Sequence, residues 1–486
     1  MTVTSLETVP QSRGLARTPA FLLLAAGAWA LAMLLGSRLL LDTDTLWQIK
    51  VGQWILAHRM VPYVDIYSLT RAGEPWMSSS WLAQVLLATA YDHAGWTGVV
   101  ALTAVALATT VGVLMSSLER HLSPIQAGFV TTVAFALSAQ HFLARPHVLA
   151  MPVMVAWVAG LIVAADRCAR PSLWLLPLLV LWANLHGGFV LGLALIAPIG
   201  FDAVWSAAPE RRWPLARRWM LFAAAAVLAC CITPYGWGAL LAARQILGLG
   251  AALGVISEWA PLSFARCGLF EGCLLALLAL ALHLGVRLAL PRILLALGLL
   301  HMALVHVRSV EAFALLLPLV LMAPLASRFS TVLRPAGPNG RLSWIGSMLL
   351  LVAAAGVVGV VVSTHPPRLP RADDRAAAIA ALRATGATRV LNDYSLSGDM
   401  IWAGLRPFID SRAELYGESA VVSYFKAVSL EDPDGLFKLL DGSSIDATML
   451  DLATPAVRMM DRLVGWHRAF ANDVAVIHAR DVAPSR

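Results

Sequence analysis

Leu41-Asp42-Thr43-Asp44 sets two carboxylates two residues apart, directly after the first strongly apolar stretch, Pro19 to Leu41. Acids at the edge of an apolar span are expensive to keep and point to a use. Such a pair can take a proton from a hydroxyl, or hold a divalent cation such as magnesium or manganese. Solvated loop acids at a water interface would read the same way. Glu258, in Ser257-Glu258-Trp259, is a third candidate acid. It would join Asp42 and Asp44 in catalysis or metal binding, or cap a helix. Arg308 lies beside His306 at the end of an apolar run, and Arg145 precedes Pro146 and His147. Either guanidinium suits a phosphate. Arg308 could instead snorkel or pair with Glu311 three residues on. Asn184 and His186 stand where another apolar run ends early, before Gly187-Gly188. Irregular backbone at that depth survives only inside protein or beside a cavity, so both are candidate binding residues or structural hydrogen bonders. Near the C-terminus, Asn392-Asp393-Tyr394 and Asp410-Ser411-Arg412 close two strand-like runs. Asp393, Tyr394, Asp410 and Arg412 are candidates to read an acceptor, or Asp410 and Arg412 are simply paired.

The elements that must position these groups are mostly apolar helices. Of 486 residues, 59% are hydrophobic and 13% charged, with a mean hydropathy of +0.73. That excludes an ordinary soluble protein and fits a polytopic α-helical membrane protein. The apolar pattern gives about eleven spans: 19–41, 96–116, 124–143, 147–165, 172–184, 187–207, 219–234, 268–287, 292–307, 310–327 and 344–363. The fifth is short for a helix needing ~20 residues, and would be broken or re-entrant. No small-residue cleavage site clearly follows the first run. The cysteines, Cys168, Cys230, Cys231, Cys267 and Cys273, avoid the polar C-terminal region, so no disulfide framework is implied.

The net charge of +7 sits in the apolar part, where it reflects orientation and not nucleic-acid binding. With a cytoplasmic N-terminus, the short inner segments hold Arg13, Arg17, Arg120, Arg167, Arg170, Arg211, Arg212, Arg217, Arg218, Arg287, Arg292, Arg328, Arg334 and Arg341. The short outer ones hold only Arg145, Arg244, Arg266 and Arg308. This bias places every candidate residue above on the outer side of the membrane. The domains expected are a cytoplasmic tail 1–18, a membrane domain 19–365 with a large outer loop 42–95, and an extracytoplasmic α/β domain 366–486. Within the outer loop, 45–58 and 81–91 read as helices lying on the bilayer, their Trp47, Trp54, Trp76 and Trp81 at the interface. In the terminal domain Arg389–Leu391, Pro407–Asp410, Ala447–Leu450 and Val474–His478 mark strands.

These motifs resemble a family. Asp44-Thr45-Leu46-Trp47-Gln48-Ile49, with Val61-Pro62 downstream, resembles the first loop of integral-membrane glycosyltransferases of the GT-C fold. These include protein mannosyltransferases and lipid A aminoarabinose transferases. Ser257-Glu258-Trp259 is similar to the outer-loop glutamate of oligosaccharyltransferase catalytic subunits, and Asp393-Tyr394 with Gly398, Ile401 and Asp410 resembles their acceptor motif. The Trp-Trp of that motif is missing, so peptide sequon recognition does not carry over. Asn184-Leu185-His186-Gly187, Thr233-Pro234-Tyr235-Gly236, Glu258-Trp259 and Asp410-Ser411-Arg412 look like the recurring pieces of an uncharacterised bacterial multi-span group near these transferases. The resemblance implies transfer of a sugar from a polyprenyl-phosphate donor to an extracytoplasmic acceptor, with Asp44 as base. A non-catalytic transporter or assembly partner for lipid-linked glycans is the alternative. A sensor ranks below both, for want of an inner signalling domain.

Overall fold

A computed structural model describes residues 20–265, 268–328 and 344–481. The tail 1–18, the loop 335–343, and Arg13, Arg17, Arg266, Cys267, Arg334 and Arg341 lie outside the described residues. The chain is mostly helical with one small sheet. The first helices are α1 (Ala20–Leu34), α2 (Gly36–Leu39), α3 (Asp44–His58), α4 (Trp81–Leu118), α5 (Pro124–Ser138) and α6 (Pro146–Asp166). There follow α7 (Leu175–Leu185), α8 (Phe189–Ala194), α9 (Ile196–Ser206), α10 (Pro209–Cys230), α11 (Gly238–Leu247) and α12 (Ala251–Val255). Then come α13 (Leu269–His283), α14 (Leu290–Val305), α15 (Val310–Arg328) and α16 (Trp344–Thr364).

Among the described residues, five segments are long and apolar enough to cross a membrane: Trp81–Leu118, Pro146–Asp166, Phe189–Ser206, Val307–Ala326 and Gly346–Thr364. The other expected spans are shorter helices. A 15-residue helix such as α5 or α13 rises only about 22 Å, against an apolar bilayer core of about 30 Å. α7 has 11 residues, as its short apolar run implied. α10 starts ten residues before the expected span, and its first half carries Glu210, Arg211, Arg212, Arg217 and Arg218. α4 is two helices in one. Gly95 takes φ 58°, a conformation that favours glycine, and separates the expected surface helix from the expected span. One apolar core joins α1, α4, α5, α6, α7, α9, α10, α14 and α15.

Arg292 of α14 is buried in this bundle and joins Asp202 of α9 (2.6 Å), Asp166 at the end of α6, and the Val320 carbonyl (2.8 Å). A buried guanidinium is tolerable when each of its nitrogens is engaged in this way.

The C-terminal region is an α/β unit. It comprises α17 (Ala372–Ala384), β1 (Val390–Asn392), α18 (Ser397–Trp402), α19 (Ala413–Val428), α20 (Pro433–Gly442), β2 (Ala447–Leu450), α21 (Ala456–Met460), β3 (Trp466–Ala471) and β4 (Val476–Arg480). The sheet order is β1-β2-β4-β3, with β1 parallel to β2 and the other pairs antiparallel. Pro407–Asp410 is not a strand. Its carbonyls are taken by the first loop, Pro407 by the Leu69 amide (2.8 Å) and Phe408 by the Thr70 hydroxyl (2.7 Å). β3 was not expected, because its outward residues, among them His467 and Arg468, hide the alternation.

The apolar face of α3 is covered by protein and is not free to lie on a bilayer. Trp47, Val51, Ile55 and Trp76 are buried in one core with Leu391, Ile409, Tyr416, Tyr424 and Leu450 of the C-terminal unit. α3 is clamped on both sides by glycines. A Cβ on Gly52 would stand 2.0 Å from the Gln84 carbonyl of α4, and one on Gly398 would stand 2.2 Å from the Thr43 carbonyl. The helix is thus a wedge between membrane helices and C-terminal unit, and Asp44 opens its first turn.

Candidate functional site

The site residues stand in the breaks between helices. Pro146 at the first position of α6 forces the residue before it out of helical backbone, and Arg145 is extended (φ −119°, ψ 158°). His186 is extended where α7 stops, Ile256 where α12 stops, and His306 where α14 stops. Short 3₁₀ turns follow the last two breaks and carry Glu258 and Arg308. Two backbone bonds hold these breaks together: Val307 N–H to the Ala260 carbonyl and Leu262 N–H to the Leu304 carbonyl, each 3.0 Å. The Ala144 amide donates to the Leu39 carbonyl (2.8 Å), bringing Arg145 beside Asp42.

Arg145 is the centre. Its Nη2 donates to Asp44 Oδ2 (2.8 Å), its Nη1 to Glu258 Oε1, and its Nε faces Asp42 Oδ2. Three carboxylates thus share one guanidinium. Asp44 Oδ1 also accepts from the Ser411 hydroxyl (2.6 Å) and the Trp47 indole (3.2 Å), while the Trp47 indole is shared with Ser411 Oγ (2.9 Å). Burial pushes the Asp44 carboxyl up to about 6; Ser411 and Trp47 pull it down, and Glu258 pushes it up again. Burial acts on Glu258 in the same direction, but Arg145 and then Arg308 hold it below the usual range. Of Asp44 and Glu258, Asp44 is the one whose carboxyl is raised toward neutrality.

Beside the cluster lies a cavity of ≈ 150 Å³, lined by His141, Arg145, His147, Trp182, His186, Glu258, Arg308 and Glu311 among others. Glu258 and Arg145 form its wall toward the acids. Arg308 does not pair with Glu311. Its guanidinium lies over the Trp259 ring, 4.4 Å from the centroid, and among the described residues it has no carboxylate at ion-pair distance. Glu311 stands 3.7 Å from His147 Nε2, which donates to the His141 carbonyl (2.9 Å). His186 Nδ1 accepts from the Gly188 amide (3.0 Å), leaving Nε2 as its donor. The cavity therefore offers a guanidinium with no carboxylate at ion-pair distance among the described residues, the His186 Nε2–H donor and two acids.

The expected residues divide into two groups. Asp42, Asp44, Glu258, Arg145, His147, His186 and Arg308 come together. Asn184, Asp393, Asp410 and Arg412 are committed elsewhere, whereas Tyr394 stands within electrostatic reach of Asp44 and Glu258. Asn184 is buried, accepts from the Trp81 indole (2.8 Å) and donates to the Val180 and Ile232 carbonyls. It ties α7 to the start of α4. Asp393 caps the turn after β1 through Ser395 and bonds Thr454. Tyr394 packs on Phe425. Asp410 and Arg412 do not read an acceptor here; both are sealed with Asp65, at 0%, 2% and 1% exposure. Arg412 Nε and Nη2 grip Asp410 (2.9 and 2.6 Å), and Nη1 takes Asp65 (2.6 Å). The Tyr416 hydroxyl and the Ser68 hydroxyl fill the remaining acceptors, and Trp76 covers the guanidinium face. Tyr235 is a clamp too, donating to the Pro62 carbonyl (2.8 Å) and accepting from the Ser78 amide (3.1 Å).

A divalent cation does not suit Asp42, Asp44 and Glu258 as they stand, because the Arg145 guanidinium occupies the space between them, one nitrogen per carboxylate. Among the described residues no group of three or more His, Cys, Asp or Glu side chains is placed to hold a metal. Sequence reading missed His141, which carries no spacing signal, and read Glu311 only as a partner for Arg308. No protein-family model matches the chain, and comparison with curated proteins gave no match.

Proposed function

We propose that this protein is a membrane glycosyltransferase of GT-C-like architecture. It takes a sugar from a polyprenyl-phosphate carrier on the outer face of a bacterial inner membrane. The observation that carries the reading is the pairing of the acid cluster with a cavity whose Arg308, among the described residues, has no carboxylate at ion-pair distance. An acceptor hydroxyl attacks the anomeric carbon, and the bond from that carbon to the lipid phosphate oxygen breaks. The hydroxyl proton passes to the Asp44 carboxylate, and the polyprenyl phosphate leaves with the electron pair, its charge met by Arg308. An acid titrating at about 6 is ionised at neutral pH yet basic enough to accept a proton as the new bond forms. Glu258, lower, stays ionised and keeps Arg145 in place.

The N-terminal tail is then cytoplasmic and the C-terminal unit extracytoplasmic. Asp44 meets that unit through Ser411, and α12, which precedes Glu258, packs on α19, as an outer reaction face would need. The test is a transfer assay in proteoliposomes with a panel of polyprenyl-phosphate hexoses and pentoses. Asp44→Asn should remove transfer while leaving the folded yield unchanged. Transfer by Asp44→Asn at the wild-type rate would remove the mechanism.

A further inference from the structure

A second cavity, ≈ 320 Å³, lies between α1, α4, α5 and the turn after α5. Its low end is apolar, with Leu31, Ala32, Leu107 and Phe135. Its other end carries its only polar liners, Arg38 and Gln140, together with Leu41 and Leu143. Both polar side chains are exposed, and among the described residues no carboxylate is at ion-pair distance from Arg38. The volume falls within the ~300–1,000 Å³ usual for ligand sites.

The polar end adjoins the candidate active site through the chain itself. Leu41 is followed by Asp42, and Leu143 stands two residues before Arg145. The Leu39–Ala144 backbone bond ties the two segments side by side. Leu143 also lines the reaction cavity. The groove and the site are therefore built on the same two stretches of backbone. An apolar trough with a lone guanidinium at the end next to an acid cluster matches one kind of molecule, a long hydrocarbon chain bearing a phosphate.

We infer that this groove holds the hydrocarbon chain of the lipid-phosphate donor, with Arg38 and Gln140 meeting its phosphate before Arg308 receives it across Leu143. The inference rests on the transferase reading and adds where the carrier lies. Neither Arg38 nor Gln140 belongs to the acid cluster, so the groove can be altered without touching the proposed chemistry.

The experiment uses the full chain in detergent with undecaprenyl phosphate and a one-isoprene phosphate as probes, and a diazirine-bearing polyprenyl phosphate for cross-linking. Label is expected in peptides covering 31–41 and 135–143. Plugging the trough with Ala139→Trp, or with Leu35→Trp as an independent variant, should weaken the long lipid at least tenfold and leave the short one unchanged. Arg38→Ala should weaken both. Wild-type affinity of both plugged variants for the long lipid would overturn the groove while leaving the transferase reading intact. Absence of binding by the wild type to either phosphate would overturn both.

Discussion

Arg412 and Arg145 each gather carboxylates, and they do so to opposite effect. Arg412 is sealed between the first loop and the C-terminal unit. Its nitrogens are matched by Asp410 and Asp65, its face by Trp76, and the leftover acceptor positions by Tyr416, Ser68 and Tyr67. Burial alone would raise the Asp65 carboxyl, yet Arg412 and the Ser68 and Tyr67 hydrogen bonds bring it below the usual range. Arg145 serves three acids with one charge, its side chain is 18% exposed, and a cavity opens beside it. Burial, with the neighbouring Glu258 adding to it, holds the Asp44 carboxyl up at about 6. A satisfied ion cluster fixes a fold; an under-supplied one at a cavity keeps a proton exchangeable. Ser411 lies between them, flanked by Asp410 and Arg412 in sequence and bonded to Asp44, so the structural cluster sets the position of the reactive one.

The comparison is broken most sharply by Arg412→Met. It leaves two buried carboxylates without a cation and should lower unfolding stability by about 3–5 kcal/mol. Thermal unfolding in detergent measures this, and a shift within error would mean the cluster is not a staple. Arg145→Met should cost less, about 1–3 kcal/mol, because its acids are partly solvated. The loss of Arg145 also carries a pH signature. Without Arg145 the folded acids bind protons more tightly than the unfolded chain does. The destabilisation should therefore be largest at pH 8 and shrink toward pH 5, as the carboxyls take up protons. Gly398→Ala, which drives a methyl against the Thr43 carbonyl, should cost about 1–3 kcal/mol and loosen α3 from the C-terminal unit. The smallest stability effect is expected for Asp44→Asn, whose consequence is kinetic. Wild-type transfer should rise with pH through about 6 as Asp44 loses its proton, and the variant's residual rate should lack that limb.

Sequence alone showed where the helices break, because the signals are local. Pro146 marks the Arg145 break, and Gly187-Gly188 the end of α7. It also placed β1 and β2 by their apolar runs. What it could not show are pairings across the chain. Asp44 meets Arg145 and Ser411 at separations of 101 and 367 residues, and Arg412 meets Asp65 at 347. Trp47 and Trp76 gave a correct apolar face and a wrong cover, since a row of tryptophans looks alike whether lipid or another domain lies on it. Asp410-x-Arg412 was legible as a pair, but the third partner, Asp65, decides that it is structural. Arg308 and Glu311 had the spacing of a helical pair, yet the 3₁₀ turn at Val307–Ser309 directs the arginine to Trp259.

The most direct test of the central claim is binding of undecaprenyl phosphate to the purified full chain, comparing wild type, Arg308→Ala and Asp44→Asn. The account predicts saturable binding, weakened at least tenfold by Arg308→Ala and unchanged by Asp44→Asn. No saturable binding by the wild type, or equal binding by Arg308→Ala, would contradict it and favour a non-catalytic transporter or assembly role.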